Sequence, residues 1–571
     1  MYDPERVTTF AYADARNKNV EFGIKAKDRT RHVYVIGKTG LGKSTLLENM
    51  AVQDIQNGEG MAFMDPHGKT AELLLNYVPE HRLKDVLYFA PFDLENPVSF
   101  NVLEDVGFDK RHLVVSGLMS TFKKIWVDAW SARMEYILGN TLLALLETPG
   151  STLLGVNKML ADKEYRKKIV ENVKDPSVKS FWVDEFAKYT DKFAAEATPA
   201  IQNKIGQFTS NPLIRNIIGQ SKSSFNLREM MDQNKIIIIN LSKGRVGEAN
   251  ANLLGSMFIT KIYLAAMSRA DVSEKELQKL PNFYLYVDEF QSFANESFAD
   301  ILSEARKYKL NLTIAHQYVE QMSEEVRAAV FGNVGTMVTF RVGAFDAELL
   351  EKEFAPQFTA EDLVNLGIYQ IYLKLMIDGV SSQPFSASTM PPIKEPEVSH
   401  CTEVIEMSRK QFAMKRAEVE QEVLNWHKDS GMVPKPAPAP VSAPKAVQIQ
   451  ALNRIFEKPK YFKREDVRPV APRPVMPKPI IPKPDDLPKD DFVSLKDLKA
   501  KIVPPSVINN ITNNQNISNA NNSNAKKVVN EKSLADLRAV LNNLKKDKKE
   551  VLPADKPNEI PEDKLRNMLK I

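Results

Sequence analysis

The sequence predicts an α/β fold with a mainly parallel, twisted sheet, followed by a long disordered C-terminal tail. Over the first 430 residues, short β-branched or aromatic runs alternate with helical stretches, which is the pattern of a parallel sheet flanked by helices. One strand-like run early in the chain leads into a glycine-rich loop and then into a helical pattern. Beyond Gly431 the composition changes to proline, asparagine and lysine, which is typical of a disordered segment.

The strand and helix signals divide the folded part into two halves of one α/β domain. Strands are expected at residues 32–37, 61–65, 86–90, 235–241, 283–288, 310–315, 336–342 and 369–376. The interval 104–232 has helical periodicity and no convincing strand. We therefore expect an all-α domain inserted between a first half, 1–103, and a second half, 233–400. An amphipathic stretch predicts a C-terminal helix within residues 401–431.

Most of the positive charge lies in the tail, residues 432–571. The whole chain has 77 Lys and Arg against 73 Asp and Glu, too small an excess to indicate a nucleic-acid coat or a membrane-surface protein. The tail alone has 27 basic and 16 acidic residues and 19 of the 34 prolines, so it suits a weak, salt-sensitive hold on DNA or acidic partners. Its two leucine-spaced segments, 531–546 and 561–571, are either marginal helices or short helices that bind a partner protein.

Several classes of protein are excluded by what the sequence lacks. Cys401 is the only cysteine, so no disulfide framework or thiolate zinc site forms within the chain, and a reducing cytosol is implied. The seven histidines are scattered and none belongs to a metal-ligand pattern, so any metal is expected to arrive with a ligand. There is no signal-peptide pattern and no stretch of about 20 uninterrupted apolar residues, so we expect no transmembrane segment.

The strongest motif is GKTGLGKS, residues 37–44, which fits GxxxxGK[ST] and lies between an apolar strand and a helical pattern. Glycines let such a loop curl so that main-chain N–H groups and the positive end of the helix meet phosphate oxygens. Lys43 supplies a charge for the β- and γ-phosphates, and the Ser44 hydroxyl is placed to bind Mg²⁺. The sequence therefore predicts a nucleotide-binding P-loop made of Gly37, Lys38, Thr39, Gly40, Leu41, Gly42, Lys43, Ser44 and Thr45.

Hydrolysis of a bound nucleotide needs a second acid for the metal and a group that activates or orients water. Asp288 ends an apolar strand and is expected to hold Mg²⁺ directly or through water, while Glu289 is expected to polarise the attacking water. The adjacent Asp-Glu pair favours an ATPase that does mechanical work, and the absence of the NKxD base-reading pattern disfavours GTP. We therefore predict ATP and Mg²⁺ as the cofactors.

Three residues further along the chain are candidates for the same chemistry. Gln317 follows another strand end, where its amide is expected to bond both the γ-phosphate and the catalytic water. His316 beside it is expected to pack or hydrogen-bond rather than to act as an acid or base. Arg306 is either an ordinary surface arginine or, in a ring of subunits, an arginine finger that reaches the neighbouring subunit's phosphate.

These motifs together resemble the TraG/TraD-like coupling ATPases of type IV secretion, within the HerA/FtsK class of P-loop motor proteins. The resemblance rests on GKTGLGKST, MDPHGK at 64–69, NPVSFNVLE at 96–104, LYVDEFQSF at 285–293, LTIAHQY at 312–318 and FRVGAFDAELLEKEF at 340–354. It covers residues 20–430 and does not extend to the tail. Asp65 and His67 of DPHG match a family motif near the nucleotide, but the sequence does not give their role.

The resemblance implies a RecA-like ATPase core with an inserted all-α domain, assembled as a homo-hexameric ring whose channel takes DNA. The implied substrate is single-stranded DNA or a nucleoprotein complex, and the implied partners are a relaxase or secretion-channel proteins. By resemblance, Lys43 belongs to the phosphate loop, Asp288 and Glu289 to the Mg²⁺ and water pair, and Gln317 to the sensing motif. Arg306 lies where the family's proposed finger falls.

Basic residues in the helical interval indicate DNA contact only weakly. The most visible are Lys123-Lys124, Lys167-Lys168 and Arg133, and for each a solvated helix face is the expected position. Arg133 is alternatively an anchor of helix packing. Because a hexamer brings six copies of a pore residue to one axis, the net negative charge of residues 1–431 does not exclude DNA as the substrate.

Many coupling proteins carry an N-terminal transmembrane anchor, whereas here the P-loop begins only 37 residues in, with nothing hydrophobic before it. The sequence therefore predicts a cytoplasmic protein, either recruited by a partner to the inner face of the bacterial plasma membrane or acting in the cytosol. Two alternatives stay open: a cytosolic DNA pump of the HerA/FtsK type, and a VirB-type secretion ATPase that acts on protein.

Overall fold

The computed structural model describes residues 3–14, 19–104, 106–294 and 297–429. The predicted disordered tail and its two leucine-spaced segments lie outside the described residues. Within the described part of the chain, every helix is too short or too polar to cross a lipid bilayer.

Eleven strands of the described residues join into one sheet, and two more form a separate hairpin. In chain order the strands are β1 Val7–Asp14, β2 Asn19–Lys25, β3 Val33–Ile36, β4 Gly60–Asp65, β5 Val86–Phe89, β6 Ile236–Asn240, β7 Phe283–Val287, β8 Leu310–His316, β9 Thr336–Thr339, β10 Gln370–Lys374, β11 Met376–Ile377, β12 Val380–Ser381 and β13 Phe385–Thr389. The sheet order is β2-β1-β13-β10-β9-β3-β8-β7-β4-β6-β5, and β11 pairs with β12.

Helices connect these strands and cover the sheet. They are α1 Ala26–Arg29, α2 Lys43–Gln56, α3 Lys69–Leu75, α4 Arg111–Ile125, α5 Ala132–Leu146, α6 Leu154–Ala161, α7 Lys163–Asn172, α8 Pro176–Ser180, α9 Asp191–Ala197, α10 Pro199–Thr209, α11 Pro212–Ile218, α12 Leu227–Asp232, α13 Lys243–Val246, α14 Glu248–Met267, α15 Glu274–Lys279, α16 Ser297–Glu304, α17 Glu324–Asn333, α18 Ala344–Phe354, α19 Ala360–Asn365, α20 Cys401–Phe412 and α21 Arg416–Asp429. Short 3₁₀ turns and one π-helical turn, Phe181–Glu185, lie between them.

The seven strands β5, β6, β4, β7, β8, β3 and β9 run parallel, so their carboxyl ends lie along one edge of the sheet. This edge, which we call the carboxyl edge, carries Gly37, Asp65, Asn240, Asp288 and Gln317 at or just after the strand ends. The predicted α/β class with a mainly parallel sheet is confirmed, and each of the eight predicted runs contains a strand.

Alternate side chains of the central strands point to opposite faces, and each face has its own hydrophobic core. One core packs α2 and α3 against the sheet, with Leu47, Met50 and Ile55 of α2 fully buried. The other core packs α14 and the helical interval against the sheet. The helix that follows the P-loop is therefore fixed on a rigid surface.

The antiparallel part of the sheet was not predicted from sequence. β1 pairs with β2 and with β13, and β13 pairs with β10, all antiparallel. Thr8 and Thr9 interrupt the apolar pattern of β1, and β13 is a short run with three hydroxyl residues, FSAST. These segments form strands because distant partners complete their hydrogen bonding, and that information is not local.

Helices α4 to α12 occupy the interval between β5 and β6, and no described residue of this interval belongs to a strand. The interval shares its core with the sheet rather than forming an independent one. Phe258 of α14, for example, stacks on Phe100 with ring centroids 4.2 Å apart and meets Phe89 of β5 at 4.6 Å. The boundaries proposed at residues 104 and 232, and the division into 1–103 and 233–400, stay predictions.

The single helix predicted within residues 401–431 is two helices in the structure, α20 and α21. Between them Ala413 forms an antiparallel bridge with Val98, and the Met414 N–H donates to the Pro97 carbonyl at 3.2 Å. A continuous helix would need these main-chain groups for its own hydrogen bonds, so pairing with the 97–98 segment breaks it.

A buried ionic cluster joins the N-terminal segment to the part of the sheet that carries the P-loop motif. Arg29 of α1 is 1% exposed, and its guanidinium donates to both carboxylate oxygens of Asp54, on α2, at 2.7 and 2.9 Å. It also donates to the Tyr286 hydroxyl, on β7, at 2.6 Å, and lies 3.8 Å from the centre of the Tyr284 ring. The cluster therefore ties the P-loop helix to the strand that leads to Asp288.

Candidate nucleotide-binding site

The P-loop is anchored at its start to the ends of two neighbouring strands. The Gly37 N–H donates to the His316 carbonyl at 3.2 Å, and the Lys38 N–H donates to the Arg341 carbonyl at 2.9 Å. A Cβ atom at Gly37 would lie 2.5 Å from the Phe340 Cβ, so glycine is required there. These contacts hold the loop at the carboxyl edge.

The loop leaves a row of main-chain donors available at the start of α2. Gly40 and Gly42 have φ angles of 79° and 115°, in the region that favours glycine. Among the described residues, no protein atom accepts a hydrogen bond from the main-chain N–H groups between Gly40 and Ser44. Leu41 is buried below the loop and Thr45 lies in the first turn of α2. Free donors at a helix N-terminus fit a chain of phosphates.

Lys43 lies beside this row of donors. Its ammonium group donates to the Gly37 carbonyl at 2.6 Å and to the Lys38 carbonyl at 3.1 Å, and the residue is 5% exposed. Burial lowers the pKa of Lys43, against the opposing effect of Glu289 and Asp288. A phosphate group that replaced the two carbonyl oxygens would be in direct contact with the positively charged ammonium group of Lys43.

Ser44 and Asp288 meet at the other side of the loop. The Ser44 hydroxyl donates to Asp288 Oδ2 at 2.9 Å, and the Glu289 N–H donates to Asp288 Oδ1 at 2.9 Å. Asp288 is 3% exposed, and burial raises its pKa to about 6, with a further contribution from the nearby charges of Glu289 and Asp65. A hydroxyl and a carboxylate at one point are oxygen ligands of the kind that Mg²⁺ prefers.

The donor set fits a metal that arrives with a phosphate ligand. In the described ranges, no group of three or more His, Cys, Asp and Glu side chains has the arrangement of a metal site. Mg²⁺ usually binds through one or two protein oxygens and takes its other ligands from phosphates and water. Ser44 and Asp288 would supply the protein oxygens here.

Glu289 is held by several donors immediately after the strand that ends in Asp288. Its backbone is left-handed, with φ 48°, and its two carboxylate oxygens accept from the side-chain amides of Gln317 and Gln291. His67 Nε2 lies 4.0 Å from Glu289 Oε1. Burial alone would raise the pKa of Glu289, but these donors and Lys43 outweigh it and lower the pKa to about 2. So long as it is held in this way, the carboxylate is a weak base.

Gln317 connects Glu289 to the P-loop. Its Nε2 donates to Glu289 Oε1, and its Oε1 accepts from the Thr39 hydroxyl at 3.1 Å. Thr39 lies just before the row of main-chain donors. A displacement of Thr39 would therefore be passed to Glu289 through the side chain of Gln317. The residue predicted to sense the nucleotide lies between the loop and the carboxylate.

The turn after β4 also reaches this site, although sequence patterns alone do not assign it a role. Asp65 is 1% exposed and accepts from the His67 N–H at 2.7 Å and from the Ala71 N–H at 2.9 Å, so it fixes the turn that begins α3. The turn presents the His67 imidazole to Glu289, and the nearby carboxylate of Glu289 raises the pKa of His67. The sequence pattern that could have indicated this role is the DPHG motif at the end of a predicted strand.

His316 packs in the interior, as expected. It is fully buried, and its Nδ1 lies 3.1 Å from the Tyr34 hydroxyl. Burial lowers its pKa to about 3. A histidine that stays neutral at physiological pH and faces away from solvent is suited to packing rather than to proton transfer.

Arg306 lies away from the P-loop of its own chain. It occupies the exposed turn that precedes β8, whereas Gln317 follows the same strand, so Arg306 is at the opposite edge of the sheet from the P-loop. Its pKa is lowered by burial and by the nearby Arg31. The structure does not bring Arg306 to the phosphate site of its own chain.

The expectation of a solvated helix face is wrong for Lys124. Its ammonium group donates to the main-chain carbonyls of Gln291 and Ala294, in the segment that follows Glu289. Burial lowers the pKa of Lys124 to about 8. A helix of the helical interval, α4, therefore holds the segment that carries the site's carboxylate, whereas Lys123 is exposed.

A comparison with known families identifies the chain. The profile of a family described as "Type IV secretory system Conjugative DNA transfer" matches residues 3–333, more than half of the sequence. The chain belongs to this family. The predicted membership among the coupling proteins of type IV secretion is thereby confirmed, and with it the assignment to conjugative DNA transfer. No curated protein matches the chain.

Solved structures of similar proteins have low sequence identity to it. The bacterial conjugative coupling protein TrwBdeltaN70 in an unbound monoclinic form is 14% identical, with a TM-score of 0.49 over 69% of this chain and 90% of that one. Plasmid coupling protein TrwB in complex with ADP and Mg²⁺ is 16% identical, with a TM-score of 0.49 over 66% and 90%. VirB4 of Thermoanaerobacter pseudethanolicus is 13% identical, with a TM-score of 0.44 over 68% and 98%.

Proposed function

We propose that the chain hydrolyses ATP with Mg²⁺ and uses that energy to move DNA toward a type IV secretion channel. The observation that carries the proposal is the meeting of four side chains at one P-loop: Ser44, Asp288, Glu289 and Gln317. Family membership supports DNA as the substrate. A P-loop alone would support nucleotide binding, whereas two acids and an amide beside it supply the groups that hydrolysis requires.

Each residue has a distinct part in the proposed reaction. The N–H groups of residues 40–44 and the Lys43 ammonium bind and orient the phosphates, and Ser44 and Asp288 hold the metal. The metal neutralises charge on the phosphate oxygens when it is bound. Glu289 positions the attacking water, which requires that Gln317 or Gln291 release one of its oxygens, because both oxygens are engaged.

We further propose that the motor is a homo-hexameric ring in which Arg306 serves the neighbouring subunit. Arg306 is exposed and lies at the edge of the sheet away from its own P-loop, so contact with a phosphate requires a second subunit. A planar, permanently charged guanidinium suits the charge that develops on the γ-phosphate. In a monomer the same residue would be an ordinary surface arginine.

The proposed partners follow from the family and from the tail. A relaxase or a relaxase–DNA complex would deliver the DNA, and channel proteins would receive it at the cytoplasmic face of the plasma membrane. The basic tail would supply a weak, salt-sensitive hold on DNA or on an acidic partner. We propose single-stranded DNA or a nucleoprotein complex as the cargo.

Phosphate release by the full-length protein, measured with and without DNA, tests the proposal. We expect Mg²⁺-dependent ATP hydrolysis that DNA accelerates, and its loss in Lys43→Ala, because that variant lacks the phosphate charge. Lys167→Ala removes an exposed lysine of α7, a helix that carries none of the site residues, and serves as the control. Hydrolysis that DNA leaves unchanged would instead favour a secretion ATPase acting on protein.

A further inference from the structure

Tyr369 is an exposed aromatic residue that lies directly against the P-loop. Its main-chain N–H donates to the Leu41 carbonyl at 3.3 Å. A Cβ atom built on Gly42 would lie 3.0 Å from Tyr369 Cδ1, so the edge of the ring faces the glycine that precedes α2. Despite this contact Tyr369 is 55% exposed, which leaves ring surface free beside the row of main-chain donors.

The backbone holds Tyr369 in this position at a conformational cost. Its φ angle is 65°, a left-handed conformation that is uncommon for a bulky residue. Two groups of Thr389 donate to the Tyr369 carbonyl: the N–H at 2.8 Å and the hydroxyl at 3.3 Å. The Gly367 N–H donates to Gln370 Oε1 at 2.8 Å and closes the turn. Strain maintained by several hydrogen bonds is a frequent property of residues at ligand sites.

The order of the sheet gives the direction in which a nucleotide would lie. The P-loop follows β3, which has β8 and β7 on one side and β9 and β10 on the other. Asp288 and Gln317 follow β7 and β8, so the end of the nucleotide that carries the γ-phosphate belongs on that side. The base must then leave on the β9 and β10 side. Tyr369 precedes β10, which runs antiparallel to β9, so it lies at the carboxyl edge on that side.

We propose that Tyr369, together with Ile368, is the platform on which the base of the bound nucleotide stacks. Ile368 is 60% exposed and next to Tyr369 in the same turn, so the two residues offer aromatic and aliphatic surface without a charged group. Stacking uses the π-face that every base has and does not distinguish one purine from another. The platform therefore binds ATP and GTP with similar affinity. This inference rests on the proposed nucleotide binding.

Calorimetric titration of the full-length protein with Mg²⁺ and either ATP, GTP or inorganic tripolyphosphate tests the platform. In Tyr369→Ala we expect the Kd for ATP and for GTP to rise about tenfold, and the Kd for tripolyphosphate to stay unchanged because it has no base. Tyr369→Phe keeps the ring and should bind all three as the wild type does. Tyr136→Ala is the matched control, since Tyr136 is 51% exposed but lies on α5.

The same titrations contain the results that would overturn the platform. Equal weakening of ATP and tripolyphosphate in Tyr369→Ala would mean that the ring only shapes the P-loop. Unchanged ATP affinity would place the base elsewhere, and a tenfold loss in Tyr369→Phe would assign the effect to the hydroxyl group. A failure of the proposed function looks different: the wild type would not bind ATP, or Lys43→Ala would bind it equally well.

Discussion

The buried carboxylate of Asp288 makes the protein less stable at neutral pH in the absence of nucleotide, and Asp288→Asn should recover that stability. Asparagine has the same shape and can keep both hydrogen bonds. Its Oδ1 accepts from the Glu289 N–H, and its Nδ2 donates to the Ser44 hydroxyl, which accepts instead of donating. The substitution therefore removes the ionisation and little else.

The size of the effect follows from the pKa of Asp288. Burial raises it from its ordinary value of 3.8 to about 6, a change of about two pH units, and each unit corresponds to about 1.4 kcal/mol. Because the folded protein holds this proton more tightly than the unfolded chain, ionisation costs stability above pH 6 and the cost fades as the pH falls toward 3.8. We expect Asp288→Asn to gain about 2–3 kcal/mol at pH 8 and about half as much at pH 5.

Urea unfolding at pH 8 and pH 5, with EDTA and without nucleotide, measures this difference between the variant and the wild type. Asp128→Asn removes a carboxylate from an exposed turn and should give no pH-dependent gain. A variant no more stable than the wild type at pH 8 would show that the buried carboxylate costs no stability. A gain of equal size at both pH values would show that the gain does not come from its ionisation.

Four further experiments test other parts of the structure. Arg29→Met leaves a buried carboxylate without its partner, so the free energy of unfolding in urea should fall by about 3–5 kcal/mol; a change below about 1 kcal/mol would contradict the buried pairing. Glu289→Gln should keep ATP binding in calorimetry but slow phosphate release at least about 100-fold. His67→Ala should lower kcat several-fold with KM unchanged, because the imidazole lies beside Glu289 and not beside the main-chain donors of the P-loop. A rise in KM alone would exclude a role of His67 in positioning Glu289. Arg306→Ala and Lys43→Ala should each release no phosphate from ATP when assayed alone. Mixed together, they should recover part of the hydrolysis, because the Lys43→Ala subunits supply the arginine and the Arg306→Ala subunits supply the P-loop lysine. No recovery of hydrolysis would exclude a finger acting between subunits.

Residues close together in sequence made the phosphate site predictable. A strand, a glycine-rich loop and a helix follow one another within residues 33–56. Their sequence pattern is therefore sufficient to predict the local geometry, without long-range contacts. Asp288 could be assigned because it ends an apolar strand, and the carboxyl ends of parallel strands share one edge. The meeting of Ser44 with Asp288, 244 residues later, follows from these two facts.

Other features depend on contacts that sequence patterns do not encode. The β-branched and aromatic run 369–376 predicts a strand that includes Tyr369, whereas contact with the P-loop holds Tyr369 in a left-handed turn before β10. Lys124 has the pattern of a surface lysine, and only the packing of α4 brings it to the segment after Glu289. Arg29 likewise has no recognisable sequence pattern, because its partners Asp54, Tyr284 and Tyr286 lie on distant elements.

A structure of the protein with Mg²⁺ and a non-hydrolysable ATP analogue would show directly whether residues 40–44 bind phosphates. We expect the Lys43 ammonium to leave the carbonyls of Gly37 and Lys38 for the phosphates, with the metal beside Ser44 and Asp288. The γ-phosphate should point toward Gln317. An analogue bound away from residues 40–44, with Lys43 still on the two carbonyls, would contradict this expectation.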